Sequence, residues 1–185
     1  MSDGVRSHLR AVVEALGDPA AVALPPHYPT CLGCGPDATQ GFHLQVRREG
    51  DEVVAEHVFE PRHSGAQGIA HGGAVATVVD DVLGFLLYVA RAPGVTRRLE
   101  VDYLKPVLVG VPYVVRGRLD RRDGRKLFVS CEGTDPQGTV AFRGTGLFIV
   151  VALSHFGSAV AAGSAGPAGA SDGVIALDGQ GPVVP

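Results

Sequence analysis

The sequence predicts an α+β fold, in which an antiparallel sheet of five to six strands packs against one long helix. Three observations lead to this prediction. Extended segments separated by turn residues lie on both sides of a single stretch with helical spacing. The connections within the last group of extended segments are short, which favours antiparallel neighbours. The chain has 185 residues, 45% of them apolar, which is enough for one domain with one core.

Six extended segments are the predicted strands. They cover residues 42–48, 52–59, 97–104, 111–119, 126–134 and 139–151. The turn Glu49-Gly50-Asp51 joins the first two as a hairpin. Turns at Asp123-Gly124 and at residues 136–138 join the last three, so we expect a meander there.

Residues 71–91 form the predicted helix, which Pro93-Gly94 ends. Its apolar stripe should face the sheet and consists of Val75, Val78, Val79, Val82 and Leu86. Asp80 lies off this stripe and shares its side with small residues that would let a second helix approach, namely Ala76, Thr77 and Gly84. Asp81 points toward the flank of Tyr88 and is expected to be a surface or interface charge.

The two ends of the chain differ from the middle in composition. Apolar residues between Val5 and Leu16 have the spacing of a short amphipathic helix. From residue 154 onward Gly, Ala, Ser and Pro dominate, which predicts a flexible tail. The predicted division is therefore a helix and Pro-rich lead-in over 1–30, the main domain over 31–153, and the tail over 154–185.

Composition argues against several classes of partner. A net charge of −3 and a pI near 6.1 provide no broad basic surface for nucleic acid or an anionic membrane. The first residues lack the apolar run of a signal peptide, and we find no stretch of about 20 apolar residues. The expected location is the cytoplasm. Three cysteines, an odd number, then predict reduced thiols.

Cys31-Leu-Gly-Cys34 has the spacing of half a zinc site. No second pair of Cys or His follows at a suitable distance, and only His27 and His43 are placed to complete such a site. We therefore expect no metal and assign the two cysteines to a loop.

The start of the predicted helix is a candidate site for binding negative charge. Unpaired N–H groups at a helix N-terminus stabilise an anion, including charge that develops on a carbonyl oxygen. Gly72 and Gly73 would allow a substrate to approach closely. Asp80, eight residues after Gly72, lies about 12 Å away along a helix. One helix cannot easily present both groups to one carbonyl, so the carboxylate would come from a second subunit.

Three motifs in this order carry a family resemblance: His71-Gly-Gly-Ala-Val-Ala-Thr-Val-Val-Asp80, Pro93-Gly-Val-Thr96 and Asp102-Tyr-Leu-Lys-Pro-Val107. From about Cys31 to Val151 the chain resembles the phenylacetate-pathway (PaaI-like) branch of the hotdog acyl-coenzyme A thioesterases, within the 4-hydroxybenzoyl-CoA thioesterase superfamily. The resemblance implies a sheet wrapped around the helix, a homodimer or dimer of dimers, and thioester hydrolysis without metal or cofactor.

The resemblance also implies roles for individual residues. Asp80 would be the nucleophile or general base, and the main-chain N–H of Gly72 would polarise the thioester carbonyl. His71 would lie beside it, and the hydroxyl of Thr96 would help place the water. Some relatives carry Asn six residues before the His, whereas this chain has Gly65. Ser64 or Gln67 would have to serve instead.

The substrate side of the prediction is less specific. Cationic side chains suited to coenzyme A phosphates are Arg97, Arg98, Lys105, Arg125 and Lys126. Phe85, Leu87 and Tyr88 suit either an acyl pocket or the core. Neither the acyl group nor the choice between coenzyme A and a carrier protein can be read from the sequence. An enoyl hydratase would need its own His–acid motif, which we do not find, while a non-catalytic acyl-coenzyme A-binding protein remains the alternative.

Overall fold

A computed structural model describes residues 23–152. The predicted N-terminal helix and the predicted flexible tail lie outside the described residues. All three cysteines are within them and are free thiols, as predicted.

The main sheet is antiparallel and has six strands: β1 Val46–Glu49, β2 Glu52–Val58, β5 Gly94–Tyr103, β6 Pro112–Asp123, β7 Lys126–Thr134 and β8 Val140–Val150. Their order across the sheet is β1-β2-β6-β7-β8-β5. A small separate hairpin joins β3 Ser64–Ala66 to β4 Ile69–Ala70, after a 3-10 turn at Pro61–His63. The sequence prediction missed this hairpin because its strands are two or three residues long, too short to show an alternation of apolar and polar residues.

The predicted helix is present but divided in two, α1 Gly72–Gly84 and α2 Leu86–Val89. The division falls at Phe85, whose N–H donates to the carbonyls of both Asp81 and Val82. Over the window Gly72–Val89 the mean hydropathy is 1.6, which by length and composition alone would suffice to cross a membrane. Since 56% of this window is buried inside the protein, it occupies the position of a core helix.

The helix packs into the concave face of the sheet. The predicted stripe is confirmed, because Val75, Val78, Val79, Val82 and Leu86 are all almost completely buried. β8 carries Gly144 where the helix crosses it, and a Cβ atom there would overlap the side chain of Val79. Register shifts within β5, β6 and β7 break the regular pairing and bend the strands around the helix. The predicted α+β architecture, with six strands and one long helical segment, is confirmed.

Candidate active site

The first turn of α1 is held in place by its neighbours. Nδ1 of His71 accepts a hydrogen bond from the N–H of Gly73 at 2.9 Å, so His71 caps the helix. The hydroxyl of Tyr103 donates to the carbonyl oxygen of Gly72 at 2.8 Å. Within residues 23–152, the N–H of Gly72 has no hydrogen-bond partner. The turn therefore presents one unpaired donor at a helix N-terminus, where negative charge is stabilised.

An open groove of about 440 Å³ lies beside this turn. That volume is within the range of small-molecule sites, roughly 300–1,000 Å³. One wall consists of residues around the helix start, including Ser64, His71 and Gly73, and the other comes from the loop before β1, including Leu32 and Phe42. The structure thus brings three of the predicted site residues together. Gln67 is exposed and does not line the groove.

Gly65 lies directly against His71. A Cβ atom on Gly65 would lie 2.9 Å from the Cα of His71, so a side chain here would displace the helix cap. The neighbouring Ser64 does line the groove, and its hydroxyl donates to the carbonyl of Pro61 at 2.7 Å. Of the two residues considered in place of the missing Asn, only Ser64 lies at the groove.

Asp80 lies at the ninth position of α1 and is half-buried. The hydroxyl of Thr96, on β5, donates to its Oδ1 at 3.0 Å. Burial raises the pKa of Asp80 above its ordinary value, although the Thr96 hydrogen bond acts in the opposite direction. Thr96, which the resemblance assigned to placing the water, thus contacts Asp80 directly, and its hydroxyl fixes the orientation of the carboxylate.

Strand β5 runs beside α1 in the opposite direction. Thr96, near its start, contacts Asp80, and Tyr103, at its end, contacts Gly72. Gly72 and Asp80 are thus at opposite ends of one contact surface, about 12 Å apart along the helix. The structure does not bring the two predicted catalytic groups together within one chain.

The predicted phosphate-binding cations divide between the same two ends, and all of them are exposed. Lys105 follows the Tyr103 end of β5, near Gly72. Arg97 lies beside Thr96. Arg125 and Lys126 are close to the start of β5, because the carbonyl of Arg125 accepts from the N–H of Val150, which pairs with Gly94. Arg98 forms an ion pair with Glu100 at 3.5 Å.

The prediction that Asp81 is a surface or interface charge is wrong, because this residue is only 8% exposed. The loop around Cys31 folds over this side of the helix. Nδ1 of His27 lies 3.1 Å from Oδ1 of Asp81, and the thiol of Cys31 donates to the same oxygen at 3.3 Å. A Cβ atom on Gly84 would lie 3.1 Å from the ring of His27, so the same loop also covers Gly84, which we expected to face another helix.

Four side chains form a polar cluster at this point: His27, Cys31, Cys34 and Asp81. One candidate ligand atom from each lies within 4.8 Å of all the others. Of the two histidines that the sequence offered for the Cys-x-x-Cys motif, His27 is in the cluster, whereas Nδ1 of His43 is paired with the carbonyl of Gly35 at 3.0 Å. No local sequence signal could have identified Asp81, which lies 50 residues after Cys31 and on a different element.

The cluster is strongly polarised. Burial lowers the pKa of His27, but its interactions with Asp81 and Cys31 outweigh that effect and raise it to about 9. Hydrogen bonds from Cys34 and His27 lower the pKa of the Cys31 thiol to about 3. Negative charge is therefore favoured on the sulfur of Cys31. By contrast, burial raises the pKa of Asp81, and the hydrogen bond with Cys31 together with burial raises the pKa of the Cys34 thiol.

Comparison with known proteins fits this geometry. Residues 67–142, which include β4, both helices, β5, β6 and β7, match the family model described as "Thioesterase superfamily". This segment therefore resembles the thioesterase superfamily. Acyl-coenzyme A thioesterase THEM4 of Bos taurus is 34% identical over 112 residues, which are 59% of this chain and 46% of that protein. The chain thus spans less than half the length of this curated relative.

Solved structures confirm the predicted hotdog fold. A crystal structure of a thioesterase superfamily protein has a TM-score of 0.61 and 25% identity, with 78% of this chain and 76% of that one covered. A hypothetical thioesterase of Streptococcus pneumoniae with coenzyme A has a TM-score of 0.55 and 20% identity, with 58% and 85% covered. The PaaI protein of E. coli has a TM-score of 0.56 and 12% identity, with 60% and 81% covered.

Proposed function

We propose that this protein hydrolyses an acyl thioester of coenzyme A or of an acyl-carrier protein to the free acid and thiol. The observation that carries the proposal is the surface shared by α1 and β5. It presents an unpaired N–H on Gly72 at one end and a carboxylate on Asp80, oriented by Thr96, at the other. The likeness to a protein named acyl-coenzyme A thioesterase supports the substrate class.

The two groups have complementary tasks in acyl transfer. The N–H of Gly72 donates to the thioester oxygen, which gains negative charge as the carbonyl carbon becomes tetrahedral. The carboxylate of Asp80 either attacks that carbon or takes a proton from the attacking water. If Asp80 acts as the base, the water oxygen bonds to the carbonyl carbon, the C–S bond breaks, and the proton held by Asp80 passes to the leaving thiolate. If Asp80 acts as the nucleophile, its oxygen bonds to that carbon as the C–S bond breaks and the thiolate takes a proton from a water molecule; the hydroxide so formed hydrolyses the resulting anhydride, which releases the acid and restores the carboxylate. Thr96 keeps one carboxylate oxygen in place, and His71 holds the donor turn.

The separation of the two groups calls for a second copy of the chain. β5 is an edge strand of ten residues, and its outer side is largely exposed. A long unpaired edge favours pairing with another strand. In our proposal, two β5 strands pair antiparallel about a two-fold axis, which brings Gly72 of one protomer to Asp80 of its partner and creates two equivalent sites.

The same arrangement gathers the cationic side chains. Lys105 lies at the Gly72 end of each protomer, whereas Arg97, Arg125 and Lys126 lie at the Asp80 end. In an antiparallel dimer the two groups meet at each site. In the proposed dimer, cationic side chains from both subunits therefore surround the coenzyme A phosphates at each site. One end of a single protomer would supply only part of this set.

A thiol-release assay with short, long and aromatic acyl-coenzyme A substrates, and with one acyl-carrier protein, tests the proposal. Asp80→Asn should lower turnover by about 10²–10⁴-fold, since it removes the base or nucleophile and keeps the shape. The matched control is Asp51→Asn at the tip of the β1–β2 turn, where the side chain is 99% exposed. This control should have wild-type activity.

Two results would contradict the proposal. One is near-normal turnover by the Asp80→Asn protein. The other is binding of acyl-coenzyme A without release of thiol from any member of the panel, which would favour the alternative of a non-catalytic acyl-coenzyme A-binding protein.

A further inference from the structure

The polar cluster of His27, Cys31, Cys34 and Asp81 lies on the flank of α1 that carries Asp81, about 100° around the helix from Asp80. Its neighbouring atoms are evenly spaced: Nδ1 of His27 is 3.1 Å from Oδ1 of Asp81 and 3.3 Å from Sγ of Cys34. Sγ of Cys31 is 3.3 Å from Oδ1 of Asp81. Ligands at 2.0–2.3 Å in a tetrahedral zinc site are about 3.3–3.8 Å apart. The three distances in the cluster would have to increase by only a few tenths of an ångström to enclose such an ion, and all four ligand atoms lie within 4.8 Å of one another.

The geometry points to a structural zinc site, in which His27, Cys31, Cys34 and Asp81 bind one Zn²⁺ ion through one nitrogen, two sulfurs and one oxygen. This ligand set is one that zinc accepts, and the spacing of Cys31 and Cys34 is that of a zinc half-site. Four protein ligands fill a tetrahedral shell and leave no position open for a substrate. The ion would therefore stabilise the fold and take no part in the reaction.

A backbone donor at one of the two sulfurs suits a thiolate. The N–H of His27 donates to the sulfur of Cys34 at 3.2 Å. Metal-bound cysteines are thiolates, and outer hydrogen bonds of this kind orient them and offset their charge. The turn therefore presents both sulfurs toward the same point as His27.

The surroundings of Asp81 also fit a bound cation. Burying a carboxylate costs several kcal/mol unless it is paired or bound to a metal. Oδ2 of Asp81 is buried and accepts no hydrogen bond from the described residues. A Cβ atom on Gly33 would overlap the carboxyl group of Asp81, so the loop approaches the helix as closely as a glycine allows. The rings of Phe85 and Tyr88 pack against His27 at centroid distances of 4.1 and 5.8 Å and shield the site from water.

The proposed zinc site involves the loop that also forms one wall of the groove. Leu32 lies between the two cysteines in sequence, and Phe42 follows in the same loop; both line the groove beside His71. By tying this loop to α1, the ion would hold one wall of the groove. The zinc proposal does not depend on the proposed thioesterase reaction, because the ligands are distinct from Gly72, Asp80 and Thr96.

Metal analysis of the full-length chain is the test. Protein purified under reducing conditions, incubated with Zn²⁺ and then desalted should contain about one zinc per chain by mass spectrometry. The double variant Cys31→Ala/Cys34→Ala should lose this zinc. The matched control is Cys131→Ala, which removes a buried thiol elsewhere in the core and should keep it. Asp80→Asn should also keep its zinc, so a failure of the reaction proposal and a failure of the zinc proposal are distinguishable.

Cobalt substitution provides a measurement that does not depend on whether the variants fold. Co²⁺ added to the chelator-treated wild-type protein should give intense visible bands of a tetrahedral site and a thiolate-to-cobalt charge-transfer band. Asp81→Asn should shift the visible bands and keep the charge transfer, because both sulfurs remain. A wild-type protein with no more zinc than the double variant, or a cobalt spectrum without thiolate charge transfer, would overturn the proposal. So would a Cys31–Cys34 disulfide that persists under reducing conditions.

Discussion

Replacing Gly72 by proline would remove the N–H assigned to the thioester oxygen while preserving the helix. Gly72 is the first residue of α1, the position where proline is favoured because its missing N–H is not used by the helix. His71 has φ −63° and ψ 135°, an extended conformation that suits a residue before proline. The control is Gly72→Ala, which adds a Cβ atom and keeps the N–H.

The expected size follows from the geometry. Removal of one donor from an oxyanion-binding site lowers kcat by about 10²–10³-fold, or roughly 2.7–4 kcal/mol. In both variants the new Cβ atom would lie 3.3 Å from the hydroxyl of Tyr103, a tight contact. Because Tyr103 is 52% exposed, its side chain can move by the few tenths of an ångström that relieve this contact. We therefore expect the kcat of Gly72→Ala to stay within a few-fold of the wild-type value and the kcat of Gly72→Pro to fall by the full factor of about 10²–10³.

The same variant tests whether the site is shared between subunits. Gly72→Pro and Asp80→Asn chains, each nearly inactive alone, are unfolded together at equal concentration, refolded and assayed for thiol release. Half of the dimers should be mixed, and each mixed dimer should have one site with an intact N–H and an intact carboxylate. Activity should recover to about a quarter of wild type, since half of the dimers carry one working site of two.

A site within one chain predicts no recovery, since every chain then carries one defect. Refolding each variant alone controls for losses during the procedure. If the mixture is no more active than its components, although mixed dimers are detected by two different affinity tags, the shared-site geometry is refuted.

Three further predictions concern single side chains. Thr96→Val should lower kcat/KM about tenfold. A hydrogen bond to a charged group contributes roughly 1.5–3 kcal/mol, and we expect the lower end because Asp80 is partly exposed to water. Thr96→Ser keeps the hydroxyl and should retain activity. His57 is buried and its pKa is lowered to about 4, so the unfolded chain binds more protons as pH falls from 6.5 toward 4. Because of His57, the free energy of unfolding should fall by about 2 kcal/mol between pH 7.5 and pH 5. Urea titrations of the His57→Phe protein should show a decrease that is smaller by this amount. If the free energy of unfolding changes equally with pH in both proteins, His57 is not responsible. Leu83→Ala, at a site with no exposed surface, should cost about 2–5 kcal/mol in the same titration, whereas Val114→Thr on the exposed face should cost less than about 1 kcal/mol.

Local periodicity was sufficient to predict most of the fold. The apolar stripe of α1 and the alternation along β7 depend on residues within a few positions of each other, and β7 was predicted with both of its ends correct. Gly50 and Gly124 have φ of 63° and 56°, a backbone conformation that favours glycine, so the two hairpin turns were also visible in the sequence. The break in the helix at Phe85 was not visible in the sequence, because the helical spacing of apolar residues continues through it.

Part of the candidate site could also be predicted from local sequence, and part could not. His71-Gly-Gly and the spacing to Asp80 are properties of one helix, so the sequence alone was enough to predict a site shared between two chains. The groove beside that helix is different, since Phe42 and His71 come from separate segments and meet only in the folded protein.

Asp80 and Asp81 illustrate the limit most clearly. They are adjacent and chemically identical, and helical spacing placed them on different flanks of α1 without indicating which segments cover each one. The tertiary structure decided their environments: Thr96 contacts Asp80 from β5, whereas His27 and Cys31 cover Asp81 from 54 and 50 positions away. Burial and polar contacts between distant segments depend on how the whole chain folds, and no local pattern specifies them.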